Sequence, residues 1–190
     1  YSALLLRKTF ADLALPGALM TRANEWLRPT GTRFAANQHR WVFPSGANLT
    51  FGYLDSAGAE YRYQSSEFQF IGFDELTQFR EVQYRFLFSR LRRLEGSNIP
   101  LRMRSASNPG GIGHEWVRSR FVDKTEEDGD RIFVPATLTD NPYLDAESYI
   151  QSLEQLDPVT RQQLLNGDWT ARQDGNLFKR EWLPIVGELP

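Results

Sequence analysis

Phe68-Gln-Phe-Ile-Gly-Phe-Asp74-Glu75 decides the fold. Five of the six residues before Asp74 are apolar or glycine, and two carboxylates follow at once. An apolar run of this length suits a strand buried on both faces, as parallel sheets use. The two acids then emerge at its carboxyl end, where open α/β sheets place their ligands. An aspartate there can hold a phosphate-associated cation, and a glutamate directly after it can orient or deprotonate an attacking water. The plainer alternative is an acidic cap, in which either residue starts the next helix and is stabilised by its dipole.

Downstream, residues 76–94 read as a helix. Phe79, Val82, Phe86, Leu91 and Leu94 repeat at helical spacing, with Arg85, Arg90, Arg92 and Arg93 on the other face. Gly96-Ser-Asn98 ends it. Residues 99–107 read as a second core strand. Strand, helix and strand in succession make a βαβ unit, with a right-handed crossover expected. That strand runs into Ser105-Ala-Ser-Asn-Pro-Gly-Gly-Ile-Gly-His114 and opens a helix at 114–121. Glycines there let backbone N–H groups approach a phosphate at a helix N-terminus. More often such glycines only make a tight turn. Neighbouring parallel strands would open the acid pair and this turn on one sheet edge.

Upstream, residues 3–7 form a short apolar strand. A helical stretch over 9–28 follows, split at Pro16-Gly17, with Leu13, Leu15, Leu19, Trp26 and Leu27 on its apolar face. Residues 40–54 alternate as a hairpin around Pro44-Ser-Gly-Ala47, and 55–67 read as a polar loop. A strand at the very start, with nothing before it, suggests a fragment whose natural beginning lies upstream. Towards the other end, 131–135 read as a strand and 146–156 and 158–165 as helices. Asp157 caps the second of these helices and Pro158 takes its first position. Residues 170–190 read as a polar linker.

Composition sets loose limits. A length of 190 residues suits one domain with a real core. The net charge of -2 and 41% hydrophobic content describe an ordinary soluble globular chain without a polybasic tail, so any nucleic-acid contact must use local patches. No apolar run or signal peptide supports membrane insertion or secretion. The absence of cysteine excludes disulfides and thiolate metal sites and fits a cytoplasmic setting. His39 and His114 are too few and too far apart for a histidine metal cluster. Trp26, Trp41, Trp116, Trp169 and Trp182 each sit within an apolar pattern and read as packing residues.

With these residues in hand, the chain resembles the large terminase subunit of tailed bacteriophages and prophages. Four stretches carry the resemblance: Arg7-Lys8-Thr9 after the first strand, Phe70-Ile-Gly-Phe-Asp-Glu-Leu-Thr-Gln-Phe79, Ser105 to Trp116, and Asp140-Asn-Pro-Tyr143 leading to Leu165-Asn-Gly-Asp-Trp169. Their order and spacing match over nearly the whole chain. The resemblance implies an α/β, P-loop NTPase-like (ASCE-type) fold. Its sheet is mostly parallel and flanked by helices, with an added β-hairpin, and is incomplete at the N-terminus. Asp74 looks like the Walker B aspartate, binding the Mg²⁺ of ATP through water. Glu75 looks like the catalytic glutamate acting against the γ-phosphate. Ser107-Asn108-Pro109 look like the coupling motif that senses the γ-phosphate. Residues 1–170 are then a partial ATPase domain, and 171–190 a linker toward a missing ribonuclease H-like nuclease. The implied partners are double-stranded DNA, the portal protein and the small terminase subunit. A homo-oligomeric ring on the portal, in the bacterial host cytoplasm, is implied as well.

The chain departs from that family in having no Walker A loop of the type G-x-x-x-x-G-K-[ST]. Without it the triphosphate lacks its cradle, so the loop is expected upstream and the bare 190 residues are expected to hydrolyse ATP negligibly. The missing first strand would also leave an open sheet edge. An arginine finger is also needed. Arg62 is the candidate by rough position, with Arg90, Arg92 and Arg93 as rivals. All four otherwise read as solvated surface, and the helix arginines could instead meet DNA phosphates. Arg7 could face the nucleotide or simply pair with a nearby acid. Two other readings stay open: a different P-loop ATPase such as a helicase, and a non-catalytic interaction domain.

Overall fold

The computed structural model of the chain describes residues 1–93, 95–124, 129 and 131–171. The chain divides into two compact units at Arg131, and the described part of the second is 132–171; length alone suggested one unit.

The first unit is built on a six-stranded sheet. Its strands are β1 (Ser2–Arg7), β2 (Arg33–Ala35), β3 (Arg40–Val42), β4 (Asn48–Tyr53), β5 (Phe70–Asp74) and β6 (Arg102–Ala106). Their spatial order is β2-β3-β4-β1-β5-β6. Strands β4, β1, β5 and β6 run parallel, while β2 and β3 join antiparallel through β4. This is the expected mostly parallel α/β sheet with its added hairpin. Strand β2 is an addition that three residues of sequence could not announce.

Alternation along β1 separates two cores. Leu4 and Leu6 point one way with Ile71 and Phe73, and all four are buried. Leu5 points the other way, in register with Phe51 and Gly72. A Cβ on Gly72 would approach Leu5 Cδ2 to 2.5 Å and Phe70 Cε1 to 3.1 Å, so glycine here leaves room for the Leu5 and Phe70 side chains. On the Leu5 face, Leu13, Ala23, Trp41 and Phe51 form a buried cluster. Its helices are α1 (Phe10–Ala14) and α2 (Leu19–Leu27), broken at Pro16-Gly17 as expected. Thr9 and Asp12 form a capping box at the start of α1. Leu15 and Trp26, read as part of the apolar face, are instead 53% and 71% exposed. The break rephases the two short helices, so a single stripe through both does not stay on the sheet.

The opposite core is aromatic. Phe73 meets Phe79 edge-on at 5.1 Å and Tyr84 at 5.4 Å, and Tyr84 in turn meets Trp116 at 5.4 Å. The helix expected over 76–94 is much shorter. A 3₁₀ turn at Leu76–Gln78 comes first, and α3 covers only Glu81–Phe88. Its buried face is Gln83, Tyr84 and Leu87, while Val82 is 59% exposed. It ends early because the next residues serve the sheet: Phe68 N–H donates to Arg90 O, and Arg92 N–H donates to Phe68 O. Leu94 lies outside the described residues. Residues 55–67, read as a loop, contain a 3₁₀ helix at Ala59–Tyr63 with Glu60 buried.

Strand β6 also differs from expectation. It was read as a core strand, yet only Met103 is partly covered and the other four residues are exposed. It has one neighbour, β5, among the described strands. After it come α4 (His114–Val117) and a π-helical turn at Arg118–Val122.

In the second unit, α6 (Pro158–Asn166) follows the predicted Asp157 cap, and α5 (Ala146–Leu153) is capped by Asp145, which the sequence reading did not single out. Asp145 accepts from Ser148 N–H at 3.3 Å, and Asp157 from Val159 and Thr160 N–H at 3.1 and 3.0 Å. Phe133 and Trp169 meet edge-on at 6.1 Å. The strand expected over 131–135 is not formed; Ile132 and Val134 are 70% and 77% exposed, with no ladder to join. Trp182 and the expected linker beyond residue 171 lie outside the described residues. No helix among the described residues is long and apolar enough to cross a membrane.

Candidate functional site

The carboxyl ends of β1, β5 and β6 come together. Register pairs Asp74 with Ala106, so the acid pair and Ser107 leave adjacent strands side by side. Arg7, ending β1, reaches across to both acids. Its Nε lies 3.3 Å from Asp74 Oδ2, and its Nη1 4.0 Å from Glu75 Oε1. These are charge contacts rather than directed hydrogen bonds, because Arg7 Nε and Nη1 are buried without a hydrogen-bond partner. The carboxylates remain about one-third exposed.

Glu75 adopts the left-handed backbone conformation, φ 57° and ψ 59°. For a residue other than glycine or asparagine this is strained, and surrounding contacts must hold it. It makes no side-chain capping bond to the turn that follows, so the plain capping alternative has no support in the geometry. Burial, and next the charge of Asp74, push the Glu75 carboxyl above its ordinary range. Arg7 and a hydrogen bond from the Asn108 backbone N–H act in the opposite direction.

The contacts that hold the strained turn come from the next loop. Thr77 is only 4% exposed. Its N–H donates to Ser107 Oγ at 3.0 Å, its hydroxyl lies 2.9 Å from the same oxygen, and it donates to the Asn108 carbonyl at 3.1 Å. Gly113 N–H donates to Thr77 O at 2.7 Å. A Cβ on Gly113 would lie 2.6 Å from Phe79 O, 2.7 Å from Trp116 Nε1 and 2.8 Å from Thr77 O, so glycine is required by close approach. Trp116 Nε1–H donates to Phe79 O at 2.9 Å.

The glycine turn is therefore not an open phosphate nest. Gly110 N–H donates to His114 Nδ1 at 2.9 Å, and Gly113 N–H is held by Thr77. Its backbone braces the acid loop instead. His114 itself is buried, a packing residue as expected.

The structure thus brings together Arg7, Asp74, Glu75, Ser107 and Asn108, with Pro109 buried behind them. Arg62 is paired instead with Asp55, beside the end of β4. Its Nη2 lies 2.7 Å from Asp55 Oδ1, and its guanidinium stacks 4.7 Å over the Tyr53 ring. Of its rivals, Arg92 pairs with Glu67 at 3.0 Å and Arg90 donates to the Gln64 carbonyl. Sequence reasoning missed Thr77 because it was placed inside a helix. A β-branched residue in the first turn after two acids was the one available warning.

Comparison with known proteins follows from this geometry. The profile of the family described as terminase large subunit, T4likevirus-type, N-terminal, matches residues 21–185. No curated protein matches the chain by sequence. Among solved structures, the large terminase from a thermophilic bacteriophage superposes with a TM-score of 0.73 at 17% identity, covering 95% of this chain and 44% of that one. The same terminase in complex with ADP gives 0.70 at 16% identity, covering 88% and 40%. In complex with ATP-gamma-S it gives 0.67 at 16%, covering 88% and 39%. The chain thus spans less than half the length of these structures, and at such identity they establish a shared fold. With the family profile covering most of its length, the chain belongs to the terminase large subunit family, T4likevirus-type, and matches its N-terminal part.

Proposed function

We propose that this chain is the ATP-hydrolysing part of a motor that drives double-stranded DNA into a phage procapsid. The observation that carries this reading is the juxtaposition of Asp74 and Glu75 with the Ser107-Asn108 loop at one sheet edge, in a chain of the terminase large subunit family. The solved relatives described with ADP and with ATP-gamma-S support a nucleotide as ligand.

Each residue has a role in this reading. Glu75 takes a proton from the water that attacks the γ-phosphate. Its partial burial makes it a stronger base, and Arg7 and the Asn108 N–H keep it ionised. Asp74 fits a magnesium ion that keeps most of its water, because its carboxylate stays partly open to solvent. No group of three acidic, histidine or cysteine residues that could cage a metal is found among the described residues. Bound there, Mg²⁺ supplies positive charge against the phosphates. Arg7 steadies the acid pair by its charge, its Nε and Nη1 buried against the two carboxylates. Ser107, Asn108 and Pro109 sense the γ-phosphate. Arg62, paired with Asp55, acts as an arginine finger on the neighbouring subunit of a ring.

No Walker A sequence occurs in the 190 residues, so in this reading the phosphate cradle comes from sequence outside them and the chain alone turns over ATP negligibly. The division at residue 170, a nuclease beyond it, the portal and small-subunit partners and the host cytoplasm belong to the same proposal.

The test is ATP turnover by the full-length protein, with and without double-stranded DNA, beside Glu75→Gln. Turnover should vanish in Glu75→Gln while nucleotide binding persists. Unchanged turnover would return Glu75 to a structural role and put the base elsewhere, whereas no turnover in the parent protein would make a non-catalytic domain the better reading.

A further inference from the structure

We propose that Thr77 is a positioning residue for hydrolysis, locking the Ser107-Asn108 loop onto the strained turn that carries Glu75. The proposal rests on the reading of Glu75 as the water-activating base.

All three polar groups of Thr77 face the same loop and make four contacts with it. One arrangement of hydrogens satisfies every contact. Thr77 N–H donates to Ser107 Oγ, the Ser107 hydroxyl donates to Thr77 Oγ1, and the Thr77 hydroxyl donates to the Asn108 carbonyl. The Thr77 carbonyl accepts from Gly113 N–H. Asn108 is then held at its carbonyl by Thr77. One residue, Leu76, separates the base from its brace, so the loop's hold on Thr77 bears directly on the Glu75 turn.

This circuit of hydrogen bonds has a chemical consequence. The Glu75 backbone does not prefer its left-handed conformation, so the carboxylate keeps its aim only while the turn is held. Small misplacements of a catalytic group can cost about a hundredfold in rate. Any displacement of the loop passes to Glu75 through one side chain. A buried threonine that merely fills space would have none of these effects on rate.

The experiment uses the full-length protein at saturating DNA. It compares Thr77→Val, Thr77→Ser, Ser107→Ala, the Thr77→Val/Ser107→Ala pair and Glu75→Gln. The readouts are kcat, nucleotide affinity from a fluorescent ATP analogue and the thermal midpoint. Thr77→Val should lower kcat about tenfold or more, since Ser107 Oγ, 3.1 Å from the Asn108 carbonyl, can replace part of the lost bond. Nucleotide affinity should stay within about twofold, because no contact to the ligand is removed. Thr77→Ser should recover most of the rate. The double variant should be no slower than the slower single, because both changes open one circuit.

Wild-type kcat in Thr77→Val, with Glu75→Gln inactive, overturns the proposal and leaves the ATPase reading standing. So do losses that multiply in the double variant, or a fall in affinity and rate together without rescue by serine. Wild-type turnover in Glu75→Gln removes the base assignment, and the proposal with it. If Thr77→Val does not fold, Ser107→Ala decides. A lowered kcat at retained affinity upholds the circuit, and a wild-type kcat overturns it.

Discussion

Arg7 Nε lies 3.3 Å from Asp74 Oδ2, and the same guanidinium is the counter-charge nearest to Glu75. Removing that charge in Arg7→Gln leaves two adjacent carboxylates facing one another. The chain should lose about 1 kcal/mol, discounted for the part-exposed acids, or about 2–4 °C in thermal midpoint. Circular dichroism melts of parent and variant would show the loss, and an unchanged midpoint would mean that the contact contributes nothing to stability.

Glu75 has the opposite sign. Its carboxyl is raised in the folded state, chiefly by burial and then by Asp74. A raised carboxyl favours folding below its unfolded value, and that contribution is lost as pH rises through the folded value. Glu75→Gln should therefore melt about 1–3 °C higher at neutral pH, the size expected for a part-exposed group in a chain of this length. The gain should shrink to nothing in acid. Both side chains carry the same left-handed backbone, so strain cancels from the comparison. A variant less stable than the parent at neutral pH would contradict the shift.

Gly113 is held by close approach rather than by its backbone angle, φ -96°. Gly113→Ala pushes a methyl group against two carbonyl oxygens and the Trp116 indole nitrogen. Overpacking of this kind costs about 1–3 kcal/mol. Thermal melts should show the loss, and quenching or a red shift of Trp116 fluorescence should accompany the broken bond to Phe79 O. Ala substitution at Gly46 is the control, since nothing lies within 4 Å of a Cβ there and the cost is that of its φ of +82° alone.

How much of this was legible in the chain depends on which forces act locally. The apolar run before Asp74 had to be a buried strand, and its acids had to emerge together. Asp157-Pro158 had to begin a helix, because cap and φ restriction act within three residues. The turn after Glu75 was not legible. A helix does follow Phe79, but it buries Gln83, Tyr84 and Leu87 rather than the apolar stripe read from the sequence, and Glu75 goes left-handed because Thr77 is bonded to residues 30 and more positions away. Phe79 is fully buried without belonging to α3. The glycines after Asn108 were read as room for a ligand. They are room for the Thr77 and Phe79 carbonyls. The apolar spelling of 131–135 failed for a related reason, since a strand exists only where a neighbour offers a ladder.

Strand β6 has β5 on one side and no described strand on the other. Every second amide along it therefore points out of the ladder. In hydrogen–deuterium exchange these amides should label early, while those of β1, flanked by β4 and β5, label last. The sheet would then loosen from the side that bears Ser107. The loop that Thr77 ties down is moored at its near end to the least protected strand, which makes local breathing of β6 the first motion able to reach the acid pair.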